Sequence, residues 1–385
     1  MAPPRMPEAV IGLDVGKLSH WACVATRDGE ILLSAPVANR EGDLDSLFGR
    51  FPDALVVVDQ SRNIGALALA RAKAAGMSAA YLPGLAAHGA ARLFAGDAKT
   101  DERDAMVIAK TALGIPDALL PVGDPGPTVA AARALAAQRN FLTCENTRSK
   151  NRLRSILLES CPAFEALVDL SDGPQLRLMA SLGGAWSVAD AGPRRAAALT
   201  RGAARGKIEV LVRSTASSTR PDAAAIAAED RAVRLLARRI SENSAEIDVI
   251  TAEISALLEG DDTYRCLLTV PGIGPKTASE LAISIDIEDF PSHDRLASYC
   301  GLAPRNRQSG TSISSVTASR QGNKRLKNLL IFSCNCLTRT EGRWGDYYAR
   351  CRERGMPHGK ALKALARKRL KVIYAIMRDR VPYAA

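Results

Sequence analysis

Apolar residues recur in three different rhythms along the chain. From Ala9 to Leu82 they come in short runs, at Ala9–Val15, Trp21–Thr26, Ile31–Val37, Ala54–Val58 and Ser78–Leu82, separated by turn signals such as Arg27-Asp28-Gly29. Runs of this length, bounded by Gly and Asp, predict strands. The wholly apolar Ala54–Val58 run predicts a central strand covered on both faces. Helical spacing fills the gaps, over Gly42–Phe51, over Ile64–Ala75 with Gly76 as a stop, and from about Thr100 to Leu113 ahead of Gly114-Ile115-Pro116.

The second rhythm is a long helix. After a Pro/Asp/Gly-rich stretch at 116–126, Thr128 to about Leu158 reads as one helical pattern carrying Arg139, Arg148, Lys150, Arg152 and Arg154. Residues 161–215 read as small helices with loops, and Ser214–Arg220 as a break. The third rhythm is a heptad. Ile226, Val233, Ile240, Ile247 and Ile254 recur every seven residues, with Leu236, Ile250 and Leu257 three further on, and Glu229 and Asn243 in the remaining d places. Such an a/d seam predicts an oligomerising coiled coil. Its alternative is a hairpin within the chain against Thr128–Leu158. Three strands in meander followed by alternating helix and strand give the N-terminal part a ribonuclease H-like order, so the expected fold class is α/β plus all-α.

Charge changes the picture. The chain of 385 residues carries +11, but Gly301–Ala385 holds 19 Lys and Arg against four acids, a net +15, which leaves −4 for the first 300 residues. A basic C-terminal region points to a polyanionic partner. The eight cysteines (23, 144, 161, 266, 300, 334, 336 and 351) include no Cys-x-x-Cys, and with only four histidines a zinc site is not expected. Unpaired cysteines fit a reducing cytosol. No apolar run long enough to span a membrane and no signal-peptide pattern is found, so a soluble, cytoplasmic protein with no membrane partner is expected. Residues 1–8 read as a disordered leader.

Candidate chemistry begins with acids. Asp101 and Asp104 lie three apart on a helix, so both can face one spot, where they repel unless a cation lies between them. Alone, the pair reads equally as a solvated first helical turn. Asp14 and Asp59, each at the end of an apolar strand, supply two more acids for a possible two-metal phosphoryl-transfer site. Further on, Val270-Pro271-Gly272-Ile273-Gly274-Pro275-Lys276 opens a helix as a helix-hairpin-helix does, offering backbone amides and the Lys276 charge to a phosphate. Arg305 and Arg307 flank Ser309-Gly310, with Lys324 and Arg325 beyond. A serine in such a setting could attack a phosphodiester, yet it could equally form a turn, and Ser312, Ser314, Ser315 and Ser319 compete with it.

Together these motifs resemble, nearly end to end, the insertion-sequence 110 (IS110) family of transposases, the bridge-RNA-guided DNA recombinases. The resemblance rests on Ile11-Gly-Leu-Asp-Val-Gly-Lys17, on Lys99-Thr-Asp-Glu-Arg-Asp-Ala105, and on Val270–Pro275, Gly301-Leu-Ala-Pro304, Gln308-Ser-Gly310 and Gly322-Asn-Lys-Arg-Leu326. It implies a RuvC-like DEDD domain at 9–115 whose acids Asp14, Asp59, Asp101 and Asp104 bind Mg2+, two ions with Mn2+ as a substitute. It implies that Ser309 is a nucleophile forming a covalent link to DNA. It also implies a C-terminal transposase domain at 261–385; the patterns described above supply a linker at 116–127, a basic helical region at 128–220 and a coiled coil at 221–260 between the two. Arg148, Lys150, Arg152, Arg154, Gly272, Gly274, Lys276, Arg305, Arg307, Lys324 and Arg325 would then grip nucleic-acid backbones. The implied partners are element and target DNA, a structured non-coding RNA, and further copies of the chain in a dimer or tetramer, nucleoid-associated when active. One departure stands out: the second DEDD acid is typically Glu, and here Asp59 takes its place.

Two other readings compete. A RuvC-like, junction-resolving nuclease would use the same acids with water as nucleophile, leaving Ser309 structural. A non-catalytic nucleic-acid-binding protein would leave all four acids incidental.

Overall fold

A computed structural model describes residues 7–61, 63–94, 100–122, 126–200, 205–309, 313–318 and 322–384, without the side chains of 121, 205, 305–309 and 313–318. The chain divides into two compact units, Met1–Asp124 and Pro125–Ala385. The first contains β1 (Ala9–Asp14), β2 (Ser19–Thr26), β3 (Ile31–Ala38), α1 (Glu41–Arg50), β4 (Leu55–Val58), α2 (Ala66–Ala74), β5 (Ala79–Tyr81), α3 (Gly84–Ala91), α4 (Asp101–Gly114) and β6 (Leu120–Pro121). One sheet runs β3-β2-β1-β4-β5-β6. Strands β1, β2 and β3 form an antiparallel meander, β4 runs parallel to β1, and β5 parallel to β4. This mixed sheet is the one expected of a ribonuclease H-like order. The Pro-rich stretch read as a linker contributes β6 to the sheet edge, pairing antiparallel with β5. The long helix after it starts at Gly126.

Strands β1 and β4 are central because they are apolar on both faces. Ile11, Leu13, Val56 and Val58 are buried on the side that carries Leu44, Phe48 and Ala68 of α1 and α2. Val10 and Val57 are buried on the side that carries Ala105, Ile108, Ala109 and Ala112 of α4. At Gly12 the helix lies so close that a Cβ would sit 2.6 Å from Ala105 O and 2.6 Å from Ala109 N. Only glycine fits under α4 there.

The second unit is helical apart from one hairpin. It comprises α5 (Gly126–Ser160), α6 (Pro162–Glu165), α7 (Gly173–Leu182), α8 (Ala185–Leu199, kinked at Gly192), α9 (Arg205–Arg213), α10 (Ala223–Leu257), α11 (Asp262–Leu268), α12 (Pro275–Ser284) and α13 (His293–Tyr299). The hairpin β7 (Pro304–Ser309) and β8 (Ile313–Ala318) precedes α14 (Lys324–Asn335), α15 (Arg343–Glu353) and α16 (His358–Asp379).

Helices α5 and α10 pack antiparallel along their length. Asn146 Nδ2 donates to Ser244 Oγ at 3.0 Å near the middle, and Ser160 Oγ donates to Glu229 Oε2 at 2.6 Å near one end. One core surrounds α6–α9 at that end, and a second gathers α11–α16 at the other. The heptad reading is corrected here. Ile226, Val233, Ile240 and Ile254 are buried as its a series requires, but the seam is filled from within the chain. Asp230, Ala237, Leu258 and the predicted d residue Ile250 complete the buried stripe, whereas Leu257, another predicted d residue, is 38% exposed. Small partners on α5, such as Ala132, Ala136 and Ser149, let the two helices approach closely and make the intramolecular hairpin the better match.

Gly12→Ala is expected to destabilise the N-terminal unit by about 1–3 kcal/mol through overpacking against α4. Chemical denaturation of the purified chain measures this. An unchanged midpoint would show that α4 is not seated on β1.

Candidate active site

Sheet register builds the acid site. Leu13 of β1 stands beside Val58 of β4, so the next residues, Asp14 and Asp59, leave two adjacent parallel strands at the same level. Side chains alternate along a strand, which puts Asp14 with Gly12 and Asp59 with Val57 on the face that α4 covers. Helix α4 begins at the acids: Thr100 caps it by accepting from Arg103 N at 3.2 Å, and Asp101, Glu102 and Asp104 fill the first turn, where the helix dipole favours negative charge.

Asp59 carries the strain of this arrangement. Its Oδ1 is buried and has no hydrogen-bond partner. Burial raises its carboxyl above the ordinary aspartate range, and the Asp104 carboxylate pushes the same way, while backbone amides of Val15, Asp59 and Gln60 pull it down. A buried, unpartnered carboxylate oxygen facing a second carboxylate is what a divalent cation would relieve, so the donor chemistry fits one. Among the described residues, no three His, Cys, Asp or Glu side chains converge tightly enough to ligate a single ion. The structure therefore brings Asp59 and Asp104 within electrostatic reach and sets Asp14 on the neighbouring strand. Asp101 is exposed on the same first turn.

Sequence reasoning missed the brace behind Asp14. His20, 1% exposed, accepts from Gly16 N through Nδ1 at 3.1 Å and meets Asn39 Oδ1 through Nε2 at 3.1 Å. A histidine inside an otherwise apolar strand was the available signal.

Ser309 lies in the second unit. It is the last residue of β7, paired with Ile313, and the turn residues 310–312 fall outside the described set. The Arg305 and Arg307 backbone lies on the same strand. Two glycines form the neck of this hairpin: Gly322, at φ 94°, packs so tightly that a Cβ would lie 2.6 Å from Gly301 N, and Asn323 N donates to Tyr299 O at 2.7 Å. Asn323 then caps α14, accepting from Arg325 N and Leu326 N, each at 3.1 Å. Lys324 is exposed in that first turn.

Arg325 requires a correction. Read as a phosphate contact, it instead donates to Glu280 Oε2 at 2.5 Å and to Ala136 O at 3.0 Å. Glu280, 4% exposed, also faces the fully buried Arg139 at 3.5 Å. The spacing of basic residues in α14 could not reveal an acid 45 positions away. Lys276 adjoins this cluster. Its ammonium is held below the usual lysine range by desolvation first, then by the Arg139 and Arg325 charges. Gly272, at φ 76°, turns the chain between α11 and α12 against Ser333 O and Leu337, and Gly274 leads into α12 with open space around it. Buried Arg369 locks the same turn by donating to Pro271 O at 2.5 Å and Ser333 Oγ at 2.8 Å. Its guanidinium is therefore turned inward, away from solvent.

On α5, Arg148 pairs with Glu145 one turn away, and Arg154 donates to Glu165 at 2.5 Å. Among the described residues, Lys150 and Arg152 form no ion pair, and Arg152 is exposed. No helix of the described residues is long and apolar enough to cross a membrane.

Comparison with known proteins agrees with both units. A family model described as a transposase, of the DEDD IS110 type, matches residues 11–162. A second, described as the transposase IS116/IS110/IS902 family, matches residues 264–349. The insertion element IS110 43.6 kDa protein of Streptomyces coelicolor is 34% identical over 96% of this chain and 94% of its own length. The insertion element IS116 44.8 kDa protein of Streptomyces clavuligerus is 32% identical over the same shares. A pilin gene-inverting protein of Moraxella bovis is 37% identical over 30% of this chain and 37% of its own.

Two outcomes follow from the geometry. Because the folded pKa of Asp59 is raised, the native state holds more protons than the unfolded one between the ordinary aspartate value and the raised value; stability falls as pH rises through that window and stays lowered above it. Asp59→Asn is therefore expected to raise the thermal midpoint at pH 7 by roughly a few degrees, with the gain vanishing in acid. A thermal melt series from pH 4 to 8 measures it, and a variant less stable than wild type at pH 7 contradicts a strained carboxylate. Glu280→Gln, which strands two arginines, is expected to cost about 3–5 kcal/mol, read by urea unfolding.

Proposed function

This chain belongs to the IS110 family of transposases, and on that footing we propose that it cuts and rejoins DNA with two sets of groups, one from each folded unit. Asp14, Asp59, Asp101 and Asp104 hold Mg2+, one ion or two, with Mn2+ able to substitute. The observation that carries this is the buried, unpartnered Oδ1 of Asp59 beside Asp104. A bound divalent ion would supply charge stabilisation at the phosphate oxygens and ease hydroxyl deprotonation. Asp in place of the usual Glu is one methylene shorter, which fits a site drawn in close to β4.

Ser309 is the nucleophile. Its Oγ forms a bond to the scissile phosphorus as its proton leaves to a base; the phosphorus–oxygen bond to one deoxyribose breaks, and that oxygen departs as a hydroxyl. In the reverse sense, a deoxyribose hydroxyl from the exchanged strand attacks the phosphoserine and restores the serine. No phosphodiester is lost to water, as excision and insertion of a mobile element require. Position at the end of a hairpin strand, on a neck that glycine packing fixes, supports this role.

Guidance comes from a structured non-coding RNA that pairs with donor and target DNA, so the protein needs only backbone contacts. Lys150, Arg152 and Lys324, with Arg148, Arg154, Lys276, Arg305 and Arg307, supply the charge. The Gly272–Gly274 turn, read as a helix-hairpin-helix, offers amides to a phosphate. Arg325 and Glu280 tie α14 to α12, the helix which that turn opens. Further copies of the chain complete the assembly, with acids of one copy serving the serine of another. Because α5 covers the heptad seam, those copies meet through other surfaces.

The test is a denaturing gel for a protein–DNA adduct, from cells expressing the chain with its native flanking DNA. An adduct is expected in wild type and absent in Ser309→Ala and Asp104→Ala. Cleavage that persists in Ser309→Ala without adduct would replace this mechanism by a junction-resolving nuclease that uses water.

A further inference from the structure

We propose that the loop joining β1 to β2 is a rigid pin for DNA, in which Leu18 wedges against an unstacked base beside the cleavage site and Lys17 meets the adjoining phosphate. The inference rests on the reading of the chain as a DNA-cutting enzyme and extends it to a contact that the acids and the serine do not make.

The observation is an apolar side chain held out on an immobilised backbone. Leu18 is 83% exposed, the highest value among the exposed large hydrophobic residues described. A leucine in solvent is ordinary by itself. Here, both carbonyls around its side chain are tied: Asn39 Nδ2 donates to Lys17 O at 3.1 Å, and Asn39 N donates to Leu18 O at 2.9 Å. Asn39 is itself aimed by the buried ring of His20. On the other side of the loop, Gly16 N donates to His20 Nδ1, which fixes the ring proton on Nε2, where it donates to Asn39 Oδ1. The turn is tight enough that a Cβ on Gly16 would fall 2.3 Å from Ser19 O. Ordering a loop costs conformational entropy, and the Leu18 side chain recovers none of it by burial.

Position selects the occupant. Asp14 pairs with Trp21 across the β1–β2 ladder, so the loop closes directly beyond the first acid. A backbone that passes that acid with a phosphate must pass the loop as well. Lys17, exposed next to Leu18, supplies the charge a phosphate needs. Apolar wedges set between base steps are a general means of unstacking and kinking a duplex, and strand exchange requires bases to leave their stack. One leucine with a lysine is too small a patch for a protein interface.

The test uses the purified full chain and two fluorescein-labelled duplexes of equal length, one fully paired and one with a central two-nucleotide bulge, read by fluorescence anisotropy. Wild type is expected to favour the bulged duplex, and Leu18→Ser to reduce that preference about tenfold with an unchanged thermal midpoint. Leu18→Phe keeps the preference. Lys17→Ala weakens both duplexes alike and lowers the salt slope by about one. Asn39→Ala, which frees the loop and leaves Leu18 in place, loses the preference as Leu18→Ser does. A Leu18→Ser ratio equal to wild type, or no preference in wild type, overturns the pin. The adduct assay decides the DNA-cutting reading separately: an adduct formed by a chain that fails the bulge test would reject only the pin.

Discussion

A single buried carboxylate organises the C-terminal unit. Glu280 of α12 faces Arg139 from α5 and Arg325 from α14, so three elements, one of them more than a hundred residues away in sequence, meet at one charge. Buried ion pairs are poor sources of stability, since an apolar trio of equal volume would hold the helices as well. They are strict about geometry, because a displaced partner leaves a charge unpaired in a dry place. The strictness is useful here. Arg325 follows the glycine neck of the Ser309 hairpin by three residues, and Lys276 and the Gly272–Gly274 turn lie one helical stretch before Glu280. Fixing Glu280 fixes the base of the hairpin against the turn and against α5. Arg369 completes the frame from the other side by gripping Pro271.

The N-terminal unit obeys the opposite logic. Its sheet places Asp59 where the carboxylate is least comfortable, buried, short of one hydrogen bond and near Asp104. Backbone amides of Val15, Asp59 and Gln60 bond the carboxyl, yet they leave one of its oxygens buried without a partner. Strain kept at one position, in a fold otherwise satisfied around it, marks function. The two units thus divide the work of the proposed chemistry. One stores electrostatic tension for release on binding, and the other holds its serine on a frame that does not give.

Much of this was legible in the sequence because the relevant signals were local. The strands of the sheet announced themselves as apolar runs between turn residues, and Asp14 and Asp59 stood out by ending such runs. The Asp101/Asp104 pair was visible through helical spacing. What failed to show was set by partners far along the chain. The heptads of α10 predicted an apolar seam correctly, yet periodicity does not say which helix fills it, and the small residues of α5 decided that. Helix α3, Gly-Leu-Ala-Ala-His-Gly-Ala-Ala, has no apolar periodicity to betray it, and β6 is two residues inside a Pro-rich stretch. Arg325 looked like its basic neighbours until Glu280 appeared behind it. The His20–Asn39 clamp joins residues 19 apart through one ring, and only the folded meander brings them together.

The antiparallel pair of α5 and α10 has a further meaning. Each helix is 35 residues long, so the pair makes a rod of roughly 50 Å, about the length of fifteen base pairs of duplex at roughly 3.4 Å each. Separate cores cap its two ends. Whatever each end grips is therefore held at a set spacing, and the rod is a ruler. Its graduations are heptads: a change of length keeps the seam closed only when both helices gain or lose seven residues together. A family built this way would be expected to vary its loops freely and its measured span in steps.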